Sequence, residues 1–361
     1  MNGFAAWLRH PLVLPGLGML LGISGILTIA SSAFLREEPL YHAGRQLLFL
    51  LAGLLIYLSI ARIPFRKIME SLPCIAGAGF LLLAGLPLAG MTVNGMRGWY
   101  DLGVVQFQPS EVIRGIILLW LASLAGENGY KNAREAAFFW LWSFVALGLI
   151  LMQPDFGTGS VYAATVLLLF YLGNGSLRWL AGIFSGGVLA LGILILKRPY
   201  VLRRFAAFWD PGADPEGAGW HIRQFFLTVA HGGWFGAKMG NSWWSGAYLP
   251  LAHNDSAYAV IAETLGLLGG AVLSAGLALL CLVLGLRALA PERTLLERLY
   301  LGGAALMIAV QSLVHIGVNV GMLPPTGLTL PFFSYGGSAM IGIWLMLGIA
   351  GAMEQEKNDE R

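Results

Sequence analysis

The sequence predicts an all-α polytopic membrane protein of about ten transmembrane helices, with one large extracytoplasmic loop between helices 7 and 8. Three observations predict it. The chain of 361 residues is 57% hydrophobic and 11% charged, where an ordinary soluble domain carries about 25% charged residues. Several apolar windows reach the roughly 20 residues that cross about 30 Å of hydrocarbon. A backbone in lipid must satisfy its own hydrogen bonds, which for runs of this length selects helices.

Taken in order, the apolar windows fall near 11–34, 44–62, 72–91, 109–126, 135–152, 158–173, 177–196, 257–289, 299–321 and 336–353, each expected to be a span. The first is too long for a signal-peptide core and no small-residue cleavage pattern follows it, so it is expected to be retained. Cys74 and Cys281 lie inside apolar runs without ligand spacing, which predicts buried packing rather than redox or zinc chemistry. Basic residues are scattered through short loops instead of clustering on one face, so nucleic acid is not an expected partner. Their distribution reads as topology. With both termini cytoplasmic, the inside segments hold Arg9, Arg62, Arg66, Lys67, Lys131, Arg134, Arg178, Arg287, Arg293, Arg298, Lys357 and Arg361, against Arg36, Arg45 and Arg97 in short outside loops. Short cytoplasmic loops accumulate Lys and Arg, which supports this orientation.

The loop at 197–257 lies outside in that orientation and belongs with the spans to a single integral membrane domain, 1–361. Structureless loops of such length are uncommon unless functional. It opens with Lys197, Arg198, Arg203 and Arg204 and passes a DPGADPEGAGWH cluster, where Pro211, Pro215 and the glycines predict turns. The stretch that follows, QFFLTVAHGGWFGAKMGNSWW, is apolar and aromatic enough for the membrane interface.

A charge at mid-bilayer costs about 2.5–3.5 kcal/mol on insertion scales, so each membrane-embedded ionisable group needs a partner or a wet cavity. Glu111 and Arg114 in FQPSEVIRGII are three apart on one helical face, after a proline and a serine suited to starting a helix. They form either a structural ion pair or part of a binding site. Arg97 in NGMRGWYDLG, and Gln153 and Asp155 in QPDFGTG, lie in short outside loops. Asp255 in LPLAHNDSAYAVIAET precedes an apolar run, where it can cap a helix or carry chemistry. His253 stands two residues before it. Glu263, eight residues after Asp255 and inside the run, must face protein or water.

The stretch NVGMLPPTGLTLPFFSYGGSAM at 319–340 adds specificity to these signals. With NGMRGW, FQPSE, QPDFGT, the DP, GWH, Gln224 and GGWFG of the long loop, and AHND, the chain resembles the SEDS family (shape, elongation, division and sporulation) along nearly its whole length. GLTLPFFSYGG is closer to the FtsW branch than to the RodA branch.

The resemblance implies a multi-pass enzyme of the bacterial cytoplasmic membrane that polymerises peptidoglycan. It would transfer glycan between lipid II molecules at the outer leaflet and release undecaprenyl diphosphate. The leaving group is already good, so one base can suffice to deprotonate the acceptor hydroxyl. The family's essential aspartate matches Asp255. Arg97, Arg114, Arg203 and Arg204 are the implied cations for the departing diphosphate, with Glu111 supporting Arg114. Asp155, His253, Glu263 and Ser334 complete the substrate-binding candidates. A divalent cation, magnesium or manganese, would be held mainly by the diphosphate, since no metal cage is recognisable. Implied partners are lipid II, a class B penicillin-binding protein that crosslinks the new strand, other proteins of a division or elongation complex, and membrane lipid. Outward faces near the eighth and ninth spans are the expected docking surfaces.

Departures from the family pattern are Gly98 with Arg97 shifted by one residue, Arg114 in place of lysine, Leu251 in place of glutamate, Ser256 in place of phenylalanine and Thr264 after Glu263. Two other readings of the same spans are a lipid II flippase and a non-catalytic scaffold. The lack of an evident repeat speaks against the first, and an otherwise unneeded Asp255 against the second.

Overall fold

The computed structural model describes residues 10–33, 40–93, 95–197, 206–213, 217, 219–238, 240–249 and 252–359. The elements in chain order are α1 (Val13–Ala33), α2 (Tyr41–Ala61), α3 (Phe65–Ala89), a small sheet β1 (Met91–Val93), β2 (Met96–Asp101) and β3 (Gln106–Phe107), then α4 (Pro109–Val112) and α5 (Arg114–Ser123). They continue with α6 (Ala133–Leu151), α7 (Phe156–Leu172), α8 (Leu177–Lys197), α9 (Trp220–Gly232), α10 (Trp243–Tyr248), α11 (Ala257–Ala288), α12 (Leu295–Asn319) and α13 (Gly337–Asp359).

The chain is a polytopic helical membrane protein. Seven described helices, α1, α2, α3, α6, α11, α12 and α13, are long and apolar enough to cross a bilayer. Shorter apolar helices occupy three other windows, at Arg114–Ser123, Phe156–Leu172 and Leu177–Leu189. The fourth window divides because the chain leaves α4 at Ile113, a residue in the bridge region (φ −85°, ψ −3°), and restarts as α5. The expected outside loop before it is not irregular. It folds into an antiparallel sheet of order β1-β2-β3, whose strands are too short to show as a period-2 pattern. The long loop holds α9 and α10, and its predicted turn appears where Asp210 Oδ1 accepts from the Gly212 amide at 3.0 Å.

Packing centres on α13, which lies against α2 along its length. Trp344 is fully buried there, and a Cβ on Gly18 or Gly53 would meet its indole. Many large apolar side chains instead face outward, among them Leu81 (74% exposed) and Leu88 (86%). In lipid an apolar side chain need not be buried to be stable. The same reasoning corrects the expectation for the cysteines: Cys281 is half-buried and Cys74 is exposed, because an apolar run predicts a bilayer environment and not burial within the protein.

At the bundle end where α2 finishes, charged groups are buried together. Arg293 Nη1 donates to Glu297 Oε1 at 3.2 Å and to the Met353 carbonyl at 3.1 Å, and its Nη2 pairs with Glu354. Arg287 Nη2 donates to the His10 carbonyl at 3.1 Å. Glu297 also closes a capping box with Thr294 at the start of α12.

Candidate functional site

The loops before α4, α7, α11 and α13 converge at the opposite end of the bundle. Asp255 stands one residue before Ser256, the N-cap of α11, and is half-buried. The first amides of a helix need acceptors from outside it. Here α12 supplies them. The Tyr258 amide donates to His315 Nε2 at 3.4 Å and the Ala259 amide to Asn319 Oδ1 at 3.0 Å. His315 and Asn319 lie four apart on one helical face. His315 Nδ1 donates to the Leu328 carbonyl at 2.8 Å, so a single neutral tautomer satisfies both ring nitrogens. Asn319 Nδ2 donates to the carbonyl of Asp255 at 3.0 Å and to that of His315 at 2.9 Å. Both residues are enclosed, His315 1% and Asn319 0% exposed.

Asp255 is braced equally from the segment 328–336. Ser334 Oγ donates to the Asn254 carbonyl at 2.7 Å and accepts from the Leu330 amide at 2.7 Å. The Tyr335 amide donates to the His253 carbonyl at 2.6 Å. Gln46, buried in α2, donates from Nε2 to the Ser334 carbonyl at 3.0 Å and accepts from the Gly336 amide at 3.1 Å. His253 stacks on His42 with ring centroids 4.2 Å apart, and Tyr335 meets both rings edge-on. Burial raises the Tyr335 hydroxyl pKa, while the charge of nearby Arg45 pulls it down. Arg45 donates to the Tyr41 hydroxyl at 2.8 Å and the Val104 carbonyl at 3.0 Å. Phe332 holds a left-handed backbone (φ 68°), which costs a non-glycine residue about 1–2 kcal/mol and is held by its ring packing edge-on against Trp344. The PPTG stretch passes beside the carboxylate: a Cβ on Gly327 would lie 3.9 Å from Asp255 Oδ2.

A second buried polar group joins α4, α5, α7 and α12. Arg114 Nη1 is 2.9 Å from Glu111 Oε2, a charge contact off the N–H direction, since that oxygen makes no hydrogen bond. The same Nη1 donates to Gln311 Oε1 at 2.7 Å, and Gln311 Nε2 donates to the Thr329 carbonyl at 2.8 Å. Glu111 and Arg114 are 5% and 8% exposed. Ser110, Glu111, Arg114, Thr158, Tyr162 and Gln311 surround a cavity of about 20 Å³, room for roughly one water. Asp155 caps α7 by accepting from the Thr158 amide at 2.9 Å through Oδ1, while Oδ2 is buried without a partner. Desolvation raises its pKa to about 6; the Thr158 hydrogen bonds lower it and the Glu111 charge adds to the rise.

The sequence candidates thus fall into distinct places. Asp255, His253 and Ser334 share one braced cluster, with the Ser334 hydroxyl already engaged by backbone groups. Glu111, Arg114 and Asp155 form the second group, enclosed by helices. Arg97 is exposed on β2 and donates from Nε to the Gly90 carbonyl at 2.8 Å. Arg203, Arg204 and Leu251 lie outside the described residues. Glu263 sits two turns along α11 from Asp255, fully buried, and its carboxylate accepts from the Trp244 amide at 2.9 Å and the Ser245 amide at 2.9 Å. Those are the first free amides of α10, so Glu263 caps that helix across the fold, with His231 Nδ1 at 2.8 Å on the same carboxylate. It holds the loop. His42, Gln46, His315 and Asn319 were passed over in the sequence; the signal was neutral polar residues inside or beside apolar windows, which the reading of charged groups alone does not see.

Comparison with known proteins follows the same lines. A family model covering FtsW, RodA and SpoVE, described as cell cycle proteins, matches residues 11–359. The probable peptidoglycan glycosyltransferase FtsW of Nitrosococcus halophilus strain Nc4 is 36% identical over 335 residues, covering 91% of this chain and 86% of that protein. The crystal structure of the rod shape determining protein RodA of Thermus thermophilus superposes with a TM-score of 0.71 at 29% identity, over 95% of each chain. A chain of a solved peptidoglycan synthase complex, in which polymerization and crosslinking are coordinated, gives 0.81 at 30% identity over 95% of this chain and 97% of that one.

Proposed function

The chain belongs to the FtsW, RodA and SpoVE family of cell cycle proteins, and we propose that it is a peptidoglycan glycosyltransferase that joins lipid II molecules into glycan strands. The observation that carries the assignment of the base is the bracing of Asp255. His315 and Asn319 take over the capping of α11, Asn319 and Ser334 hold the carbonyls of Asp255 and Asn254, and Gln46 in turn holds Ser334 and Gly336. A half-buried carboxylate on a backbone held this way is suited to proton transfer.

In the proposed step Asp255 accepts the proton of the acceptor sugar hydroxyl as its oxygen bonds to the anomeric carbon of the donor. The bond from that carbon to the lipid diphosphate breaks, and undecaprenyl diphosphate leaves with the electron pair. Arg45 and Arg97 are two described arginines on this end of the bundle that lie outside the enclosed Glu111–Arg114 group, and they supply positive charge toward the leaving diphosphate. Among the described residues no three His, Cys, Asp or Glu side chains converge to hold a metal. A magnesium or manganese ion would arrive with the diphosphate, whose oxygens would hold it. The charge bias of the short loops supports cytoplasmic termini and an Asp255 cluster at the outer leaflet of a bacterial cytoplasmic membrane. The likeness to a synthase complex that coordinates polymerization and crosslinking supports a transpeptidase partner of the class B penicillin-binding type.

The test is polymerisation of lipid II by the purified protein, with and without its partner. Asp255→Asn is expected to lower the rate by about 10²–10⁴, the worth of a positioned base. An Asp255→Asn protein that polymerises like wild type removes the base assignment. Lipid translocation in vesicles with no polymer from wild type points to a flippase instead.

A further inference from the structure

We propose that Trp234 and Phe235 form an aromatic wedge seated in the bilayer interface, and that this contact sets the depth at which α11 presents Asp255. Trp234 is 65% and Phe235 83% exposed, in the GGWFG turn that follows α9. The backbone of this turn is built into a break in α11. Gly266 leaves the helical conformation (φ 74°, ψ 176°), which strips the next amides of acceptors within their own helix. The Leu267 amide donates instead to the Gly233 carbonyl at 2.9 Å and the Leu268 amide to the Trp234 carbonyl at 3.3 Å. In return the Ala237 amide donates to the Glu263 carbonyl at 2.8 Å. Contact is so close that a Cβ on Gly232 would run into the Ala262 carbonyl oxygen. The turn and the broken helix therefore move together.

Lipid is the occupant because the wedge continues a surface that already faces it. Just beyond the break, Leu268 is 48% and Val272 69% exposed on a helix long and apolar enough to span the membrane. Indole rings are favoured at the membrane–water boundary. Lys238, exposed three residues after Phe235, suits an anionic headgroup. From Gly266 back to Asp255 is about 16 Å of chain at the helical rise, so the seat of the wedge fixes the height of the carboxylate. That last consequence rests on the reading of Asp255 as the base; the lipid contact does not.

The experiment uses the full chain in phosphatidylglycerol-containing nanodiscs, with Cys74→Ser and Cys281→Ala and a nitroxide on Phe235→Cys. Collision of the probe with oxygen and with a water-soluble nickel chelate is compared with probes on Val272→Cys, facing lipid, and Asp210→Cys, in the polar turn. The expected result is an oxygen preference at 235 like that at 272. A preference like that at 210 overturns the wedge. In parallel, Trp234→Ser with Phe235→Ser is expected to lower polymerisation in bilayers by about tenfold or more, the scale of a reacting group displaced by part of an ångström. A doubly substituted protein that is folded and polymerises like wild type overturns the depth coupling even where the probe reports lipid. If wild type itself makes no polymer, the proposed function fails and the probe result still decides the lipid contact.

Discussion

Asn319→Leu tests whether the seat of Asp255 matters to its chemistry. Leucine shares asparagine's heavy-atom branching but carries bulkier methyl groups, so the change removes the hydrogen bonds and adds some overpacking at a buried site. Three are lost: one from the Ala259 amide and two to the carbonyls of Asp255 and His315. A buried donor left without an acceptor costs about 1–3 kcal/mol and each lost bond about 1 kcal/mol net, so roughly 3–5 kcal/mol is withdrawn from the first turn of α11. A reacting group displaced by about 1 Å loses on the order of 10²-fold in rate. The expected outcome is a polymerisation rate lowered by about that factor, together with a lower melting temperature in detergent. Asn319→Asp keeps an acceptor for the Ala259 amide but no donor for the Asp255 carbonyl, and is expected to fall between leucine and wild type. The assay is polymer formation from lipid II in the presence of the partner transpeptidase, read beside thermal unfolding. Wild-type rate and melting temperature in Asn319→Leu would refute the bracing argument.

Two further outcomes follow from the buried charges. Arg293→Ala leaves Glu354 and Glu297 enclosed without their shared guanidinium, a loss of about 3–5 kcal/mol by the cost of breaking a buried pair, and thermal unfolding should show it while Arg293→Lys is milder. Asp155, with its pKa raised by burial to about 6, favours the folded state fully below about pH 4, the ordinary aspartate range, and loses that contribution as pH rises to 6. Asp155→Asn, still able to cap α7, should flatten this part of the melting-temperature profile; an unchanged profile contradicts the burial argument.

The helices were legible because length and apolarity suffice to find a span, as at Val13–Ala33 and Leu295–Asn319. Three features were not. The sheet at 91–107 was hidden by the brevity of its strands. The break at Gly266 was hidden because the apolar pattern runs through it, and its cause, the GGWFG turn, lies some thirty residues earlier in the chain. The division of labour around Asp255 was hidden because His315, Asn319 and Gln46 reach that cluster through bonds to residues 57 to 290 positions away in sequence. Asp255 stood out in the sequence as a carboxylate at the head of an apolar helix, a place open to capping or to chemistry. Glu263 was expected to face protein or water; it faces protein, and its service to α10 could be seen only once the loop was folded back.

The two borrowed helix caps also order the biogenesis of the chain. Glu263 finds the α10 amides that precede it, so the long loop can close as soon as the first half of α11 leaves the ribosome. The α11 amides, by contrast, wait for His315 and Asn319, and Asn254 waits for Ser334. A chain ending before α12 would hold the α10 cap of Glu263 while the first amides of α11 still lacked His315 and Asn319.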